Sequence, residues 1–168
     1  TRLSRGLGDV YKRQPILSNE SIPPFDNTAV DGYAVKAIDT KGATQETPIS
    51  LTVLETIAAG KPPTFAIQSG ECSKIMTGAP IPDGADAVVM VERTEQQENG
   101  SVVAIEEEVS KGQHIRRSGE DLEPGDLVIP QGTVLNAAHL GLLASLGIYQ
   151  ITTVRTVSYT HLTLPTSG

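Results

Sequence analysis

Turn-forming residues interrupt this chain at short intervals, and their spacing limits what the chain can fold into. The 168 residues include 16 glycines and 11 prolines, which separate short runs rich in valine, isoleucine and threonine. Short β-branched runs bounded by glycine and proline are typical of strands. Aromatic residues make up 4% of the chain, which indicates a mainly aliphatic core. The sequence therefore predicts a mainly β (α+β) fold.

Four runs predict strands, at residues 48–57, 71–76, 87–95 and 101–109. Asn99–Gly100 lies between the last two runs and favours a β-hairpin, because tight hairpin turns need positive φ at both central residues. Pro124–Gly125 suits a type II turn, and residues 148–154 predict one further strand. Neither arm of the expected hairpin alternates cleanly between polar and apolar residues, so its buried face stays open.

One segment predicts a helix, which starts after Asn136 and ends before Gly147. Asn136 is a good N-cap, and Gly147 fits the position that follows a helix end. Leu140, Leu143 and Ala144 fall on one face at helical spacing. This spacing supports a helix.

Charge and cysteine content exclude several classes of protein. The net charge is −7 and the pI is about 4.9, which argues against a nucleic-acid partner because phosphate binding needs a basic face. No apolar run approaches the roughly 18 residues of a membrane-spanning helix. The single cysteine, Cys72, excludes a disulfide framework. It could pair with His114 as a nucleophile, but it is better explained as a small strand residue.

The two ends of the chain differ in character from the middle. Residues 1–14 and 157–168 resemble translated sequencing-adaptor sequence, so we expect both to be foreign extensions that carry no function. Ordinary disordered termini are the simpler alternative.

Three loops carry residues with possible chemistry. In PPFDNTAVDGYAV, Asp26 and Asp31 could bind a hard cation such as Mg²⁺ or orient a phosphate-bearing substrate. An Asx turn followed by a strand explains the same residues, and the residues alone favour that explanation. In KIMTGAPIPDGADAVV, Thr77 and the neighbouring amides could hold an anion, although a proline-stiffened turn is again the better explanation.

The third loop is IRRSGEDLEPGD. Arg116 and Arg117 stand close to Glu120 and Asp121, and a guanidinium beside carboxylates could recognise an anionic substrate bridged by a metal. A surface ion pair is the alternative, and such a pair usually contributes only about 0–1 kcal/mol to stability.

Taken in order, five strings resemble one family closely: PPFDNTAVDGYAV, AAGKPP, CSKIMTGAPIPDGADAVVMVE, IRRSGEDLEPGD and ASLGI. They are similar to the N-terminal and linker region of the MoeA family of molybdopterin molybdenumtransferases, which is related to the E domain of gephyrin. The resemblance extends over about Pro15 to Arg155.

The resemblance implies a fold and a function. The family inserts molybdenum from molybdate into adenylated molybdopterin during molybdenum cofactor biosynthesis, with Mg²⁺ as the usual ion, in a cytoplasmic homodimer. A coiled or bifurcated β domain, expected at residues 28–132, is inserted in a small α/β linker domain, expected at residues 15–27 plus 133–156. We expect no nucleic-acid or membrane partner.

The resemblance also implies site residues. Asp31, Thr77 and Asp121 correspond to the family's catalytic positions. Arg116 and Gly78 are expected to bind the cofactor, and Asp31 and Asp121 are the expected Mg²⁺ ligands. If the three loops share a cleft, these residues should lie on one exposed surface.

Two other functions compete with this expectation. The chain could be a non-catalytic β interaction or scaffold module, as the gephyrin relative also scaffolds receptors. It could also be an unrelated acidic β protein with accidental motifs, in which case the three loops would lie on opposite faces.

The first prediction concerns the isolated chain. In the family, the pterin and molybdate pocket lies in a larger domain that follows this region, so we expect the isolated chain not to insert molybdenum into adenylated molybdopterin. Molybdenum incorporation by the purified chain is the measurement, and turnover above the rate without protein would contradict the prediction.

Overall fold

The computed structural model describes residues 10–12 and 14–155, with side chains described for residues 14–97 and 99–152. The parts of the expected foreign extensions at residues 1–9, 13 and 157–168 lie outside the described residues. Within the described residues, the chain is mainly β with one α-helix, as the sequence predicts. None of the described helices has the length and apolar content to cross a membrane.

The regular elements are short. The strands are, in chain order, β1 Val10–Lys12, β2 Ile16–Leu17, β3 Asn27–Thr28, β4 Gly32–Val35, β5 Ile49–Ile57, β6 Glu71–Ile75, β7 Ala87–Met90, β8 Thr94–Gln97, β9 Val102–Ile105, β10 Ile115–Arg116, β11 Leu127–Ile129 and β12 Thr153–Arg155. The helix α1 is Ala137–Ser145, and single 3₁₀ turns occur at Ala37–Thr40, Val91–Arg93 and Glu98–Gly100.

The chain divides into two compact units. One contains residues 1–20 and 123–168, and the other contains residues 21–122. These limits differ from the expected domain limits at 27/28 and 132/133, and that assignment of domains stays a prediction.

A six-stranded sheet forms the body of the unit at residues 21–122. Its order is β7-β4-β6-β5-β9-β8, with β5 and β6 parallel and the other neighbours antiparallel. The strands at its two ends, β7 and β8, are joined only by the 3₁₀ turn Val91–Arg93. Because three residues cannot span a flat six-stranded sheet, the sheet is curled so that its two ends approach each other.

This connection corrects one predicted strand. The run at 87–95 was expected to be continuous, but it breaks at Val91–Arg93 because the chain leaves β4 and pairs next with β9. The Val91 amide donates to the Asp31 carbonyl at 3.0 Å, and the Thr94 hydroxyl donates back to the Val91 carbonyl at 2.9 Å. Both bonds stabilise the change of direction.

The predicted hairpin is confirmed. β8 and β9 pair antiparallel with Gln97 opposite Val102. In the connection between them, Asn99 has φ 56° and Gly100 has φ 93°, left-handed values that asparagine and glycine adopt more readily than other residues.

Both faces of the central strands are buried, which explains why the sequence does not alternate there. Tyr33 and Val35 belong to one apolar cluster, with Leu51, Cys72 and Val103 among its other members. Ala34 and Val88 face a second cluster, and the partly buried residues packed on that side include Ile81, Ala85 and Ile115. The second cluster therefore attaches the loops that carry the predicted site to the sheet.

Gly32 is required by the close approach of two strands. A Cβ built at Gly32 would lie 2.0 Å from the Val89 carbonyl oxygen, far inside van der Waals contact. The residue stands between β6 and β7, opposite Ile75 and Met90, and next to Asp31. Its lack of a side chain thus fixes where Asp31 leaves the sheet.

The other unit contains the predicted helix. Asn136 accepts a hydrogen bond from the His139 amide, and the His139 ring accepts one from the Asn136 amide. Gly147 has φ 65° just after the helix, and Leu143 packs with Ile16 and Ile129. Of the apolar residues on that face, Leu143 is buried and Ala144 is exposed.

The second prediction concerns Gly32. Replacing Gly32 with alanine forces the β4 and β7 backbones apart, so we expect the free energy of unfolding to fall by about 3 kcal/mol or more, the upper range for overpacking a rigid site. Urea denaturation followed by circular dichroism measures the change. Gly141→Ala is the control, because nothing lies within 4 Å of the added Cβ and helix propensity predicts stabilisation by about 1 kcal/mol. Equal stability of Gly32→Ala and wild type would refute the steric argument.

Candidate functional site

Asp31 and Thr77 form the clearest contact between two predicted site residues. Asp31 immediately precedes β4, and Thr77 follows β6 two residues after Ile75. Since β4 and β6 pair antiparallel with Gly32 opposite Ile75, the two residues meet at one end of the sheet. The Thr77 amide and hydroxyl both donate to Asp31 Oδ1, at 2.7 and 2.8 Å.

These two donors favour the ionised form of Asp31. The Thr77 amide, and then the Thr77 hydroxyl, lower the pKa of the Asp31 carboxyl below its ordinary value, with a smaller contribution from the charge of Lys74. Hydrogen bonds to the charged form act in this direction. Both residues are exposed, and Oδ2 of Asp31 has no partner among the described residues. The carboxylate therefore offers one free oxygen to a ligand.

The Thr77 loop does not hold free amides for an anion. The Thr77 amide is bound to Asp31, the Gly78 amide donates to the Thr28 carbonyl at 2.9 Å, and the Ala79 amide donates to the Met76 carbonyl at 2.9 Å. The anion-binding interpretation of these backbone donors is therefore not supported. Gly78 has φ 79°, which favours glycine at that position.

The second predicted pair is Arg116 and Asp121. The Arg116 guanidinium binds Asp121 Oδ2, and the Asp121 carboxylate raises the pKa of Arg116. The side chains are 38% and 52% exposed, so the pair stands at the surface as a joined cation and anion. The loop between them is closed by the Arg117 amide, which donates to Glu120 Oε2 at 2.9 Å.

The short strand β3 joins the two pairs. On one side, Asn27 and Thr28 pair antiparallel with Arg116 and Ile115 of β10. On the other side, Asn27 forms a bridge with Pro80, while the Thr28 amide donates to the Ala79 carbonyl at 3.2 Å. The three predicted loops therefore meet at β3.

Asp26, which precedes β3, has a role that differs from its expected one. Its carboxylate binds the Arg117 guanidinium and accepts the Ser118 amide at 2.8 Å, whereas Asp31 binds Thr77. The two carboxylates therefore face different loops and do not form the paired cation site that their spacing suggested. Sequence analysis considered Asp26 only as a possible cation ligand or turn residue, and its contact with Arg117 and Ser118 was not predicted.

A fourth segment reaches the Thr77 loop. The turn at 58–61 belongs to the AAGKPP string, and a Cβ built at Gly78 would lie 3.9 Å from the Ala59 Cβ. The Lys61 amide closes this turn on the Ala58 carbonyl at 3.1 Å. Sequence analysis assigned this string no role of its own.

The described residues do not enclose a metal ion by themselves. No group of three or more acidic, histidine or cysteine side chains suited to a metal occurs among them. Asp31 and Asp121 each keep one carboxylate oxygen without a described partner. This donor set fits an ion such as Mg²⁺ that takes one or two carboxylates and completes its shell with water and substrate phosphates.

Cys72 is a core residue, as its strand position predicts. It is fully buried, its thiol donates weakly to the Thr52 carbonyl at 3.5 Å, and burial raises its pKa to about 12. A thiol with that pKa is not a nucleophile at neutral pH.

Comparison with known proteins identifies the chain. A family model described as the MoeA N-terminal region (domain I and II) matches residues 6–147, which is most of the sequence. The chain belongs to the MoeA family. This confirms the resemblance carried by the five strings, whose residues lie mainly on the loops described above.

Curated members of the MoeA family are similar to the chain. A protein named molybdopterin molybdenumtransferase 2 from Mycobacterium tuberculosis is 47% identical over 133 residues, covering 78% of this chain and 32% of the relative. Molybdopterin molybdenumtransferase from Bacillus subtilis is 36% identical over 147 residues, covering 86% and 34%. The chain thus spans about a third of the length of these relatives.

A solved MoeA structure shares the fold. The molybdopterin biosynthesis MoeA protein from Pyrococcus horikoshii OT3 superposes with a TM-score of 0.79 at 37% identity, covering 86% of this chain and 38% of that one. The curled β sheet is therefore the MoeA arrangement.

The third prediction concerns the titration of Asp31. Thr77→Val removes the hydroxyl but keeps the amide, so we expect the Asp31 pKa to rise yet stay below its ordinary value, because the amide is the larger cause of the shift. Carboxyl ¹³C NMR titration measures both proteins. Since the folded-state pKa is lowered, this contact stabilises the fold above the unfolded pKa of about 3.9. That stability is lost as pH falls through the folded value. An unchanged pKa in Thr77→Val would show that the hydroxyl does not hold the carboxylate.

Proposed function

We propose that this chain is the N-terminal and linker part of a molybdopterin molybdenumtransferase. Its three joined loops would form one wall of the site where molybdenum from molybdate is inserted into adenylated molybdopterin. The observation that carries the proposal is the exposed Asp31–Thr77 contact, connected through β3 to the Arg116–Asp121 pair. Membership of the MoeA family supplies the reaction.

Asp31 is the main catalytic candidate. A carboxyl group of ordinary pKa is ionised at neutral pH, and Thr77 lowers the pKa of Asp31 further. Oδ2 is therefore a charged oxygen that can bind Mg²⁺ or accept a hydrogen bond from substrate or water. The Thr77 amide and hydroxyl both donate to Oδ1. In the proposal, Thr77 therefore orients the Asp31 carboxylate.

Arg116 and Asp121 would act on an anionic substrate as a pair. Molybdate and the phosphates of adenylated molybdopterin are anions, and a guanidinium binds such oxygens through directed hydrogen bonds. Asp121 fixes the guanidinium by accepting one of its N–H groups. Gly78 would contribute by presenting no side chain next to Thr77, which leaves room for the pterin or its phosphate.

Mg²⁺ belongs to the proposal as a bound ion. Asp31 and Asp121 would hold it through their free oxygens, and the ion would supply charge to neutralise the substrate phosphates. The remaining expectations, a homodimer whose cleft takes its other wall from a second subunit and a cytoplasmic location, are proposed on family membership alone.

The fourth prediction tests this function in a complete enzyme. Residues 15–155 replace the matching region of the Bacillus subtilis relative, and we expect the hybrid to insert molybdenum into adenylated molybdopterin. Asp31→Asn in the hybrid should lower the rate constant of molybdenum insertion by about 100-fold, the lower end of the range for removing one group that stabilises charge in the transition state. Molybdenum incorporation under single-turnover conditions is the measurement.

Asp39→Asn is the matched control for that experiment. The Asp39 carboxylate also accepts a hydroxyl and an amide, from Ser69 and Gly70 at 2.8 and 2.9 Å, but it contacts none of the three loops. We expect this variant to keep wild-type activity. A folded hybrid without activity would argue for a non-catalytic module, and full activity of Asp31→Asn would remove Asp31 from the site.

A further inference from the structure

We propose that Asp26 is the positioning residue that holds the Arg116–Asp121 loop and the Thr77 loop in fixed relation to each other. This inference rests on the proposed function for its purpose, since it treats both loops as parts of one site. Asp26 would act through its neighbours and would not touch the substrate.

The carboxylate of Asp26 holds the first loop at two points. Oδ1 accepts the Ser118 amide at 2.8 Å, and Oδ2 binds the Arg117 guanidinium. The two partners lie more than 90 positions from Asp26 along the chain. One side chain therefore anchors a distant loop at the middle of the RRSGED string.

Neighbouring backbone bonds reinforce this attachment. The Gly119 amide donates to the Pro23 carbonyl at 3.0 Å, and the Asp121 amide donates to the Ile22 carbonyl at 2.9 Å. The Ser118 hydroxyl donates to the Pro24 carbonyl at 3.2 Å. The backbone carbonyls of residues 22–24 therefore bind residues 118–121 along the length of that loop.

The backbone of Asp26 holds the second loop. Its carbonyl accepts the Ile81 amide at 3.0 Å, and the next residue forms the bridge with Pro80. Ile81 follows the Thr77–Gly78 turn and packs on the cluster of Ala34 and Val88. A displacement of Asp26 would therefore displace both the Arg116–Asp121 loop and the Thr77 loop.

The contacts that Asp26 makes favour its charged form. The Ser118 amide, followed by the Arg117 guanidinium, lowers the pKa of the Asp26 carboxyl further below neutral pH. Sites of this kind require their side chains to be held within about 0.5 Å of the working geometry. An exposed loop without a packed core of its own needs such an anchor.

The fifth prediction tests the anchor with three variants of the ¹⁵N-labelled full chain. In Asp26→Ala, we expect hydrogen-exchange protection at the Gly119 and Asp121 amides to fall about tenfold, the effect of losing one charge-assisted hydrogen bond at a partly exposed site. The Thr77 and Gly78 amide resonances should shift in the same variant. Asp26→Asn keeps an oxygen for the Ser118 amide, so it should recover most of the protection.

Asp39→Ala is the control, because it also removes two hydrogen bonds from a carboxylate but should leave the amides at 77–81 and 117–121 unchanged. Shifts confined to 117–121 in Asp26→Ala would overturn the proposal, since Asp26 would then anchor one loop only. If Asp26→Ala does not fold, Arg117→Ala is measured instead, because it removes the other partner of the Asp26–Arg117 ion pair. Unchanged 77–81 resonances in that variant would again overturn it.

An activity measurement in the hybrid separates positioning from function. Asp26→Ala should lower kcat with little change in KM, and Asp26→Asn should recover most of that kcat. A general loss of stability would instead lower the amount of folded enzyme and leave kcat per folded molecule unchanged. The amide measurements need no substrate. Coupled loops in an inactive hybrid would therefore overturn the proposed function, and uncoupled loops in an active hybrid would overturn the role of Asp26.

Discussion

The pairing of β3 on both of its edges is the constraint on which the candidate site depends. Two residues, Asn27 and Thr28, bind β10 on one side and the Ala79–Pro80 backbone on the other. Backbone hydrogen bonds leave little freedom in register, because a slip by one residue would turn every side chain to the opposite face. The positions of the loops that carry Thr77 and Asp121 therefore depend on this short strand. Thr28, its second residue, is buried.

Much of the fold could be predicted because the signals are local. The hairpin at Asn99–Gly100 and the helix after Asn136 each follow from the backbone preferences of two or three adjacent residues. The same holds for the turn at Pro124–Gly125, where Gly125 has φ 98° and the Asp126 amide donates to the Glu123 carbonyl at 3.1 Å. The break at Val91–Arg93 could not be predicted in this way, since it depends on which strands lie at the two ends of the sheet. The buried face of the run at 87–95 stayed open for a related reason, because Ala87 and Val89 lie in one apolar cluster and Val88 lies in the other.

In the candidate site, too, local sequence signals could be predicted and contacts between distant residues could not. Asp31, Thr77, Arg116 and Asp121 were found through the family strings, while the residues alone favoured ordinary turns. Their contacts join positions far apart in sequence, such as Asp31 with Thr77, and no local rule predicts such a pair. The anion-binding interpretation of the Thr77 loop failed because amides that look free in a sequence are engaged by Asp31, Thr28 and Met76 in the fold. The role of Asp26 was also missed, because its partners Arg117 and Ser118 lie far from it in sequence.

The division of the chain into one continuous and one discontinuous unit has a consequence for biosynthesis. Residues 21–122 form a compact unit from a single stretch of chain, whereas the other unit needs residues from both ends. On the ribosome, the continuous unit can complete its sheet while residues 123–168 are still being translated. Ile16 must wait for Ile129 and Leu143 to emerge before its apolar cluster can close. Until then the apolar side chain of Ile16 lacks the partners that bury it in the finished fold.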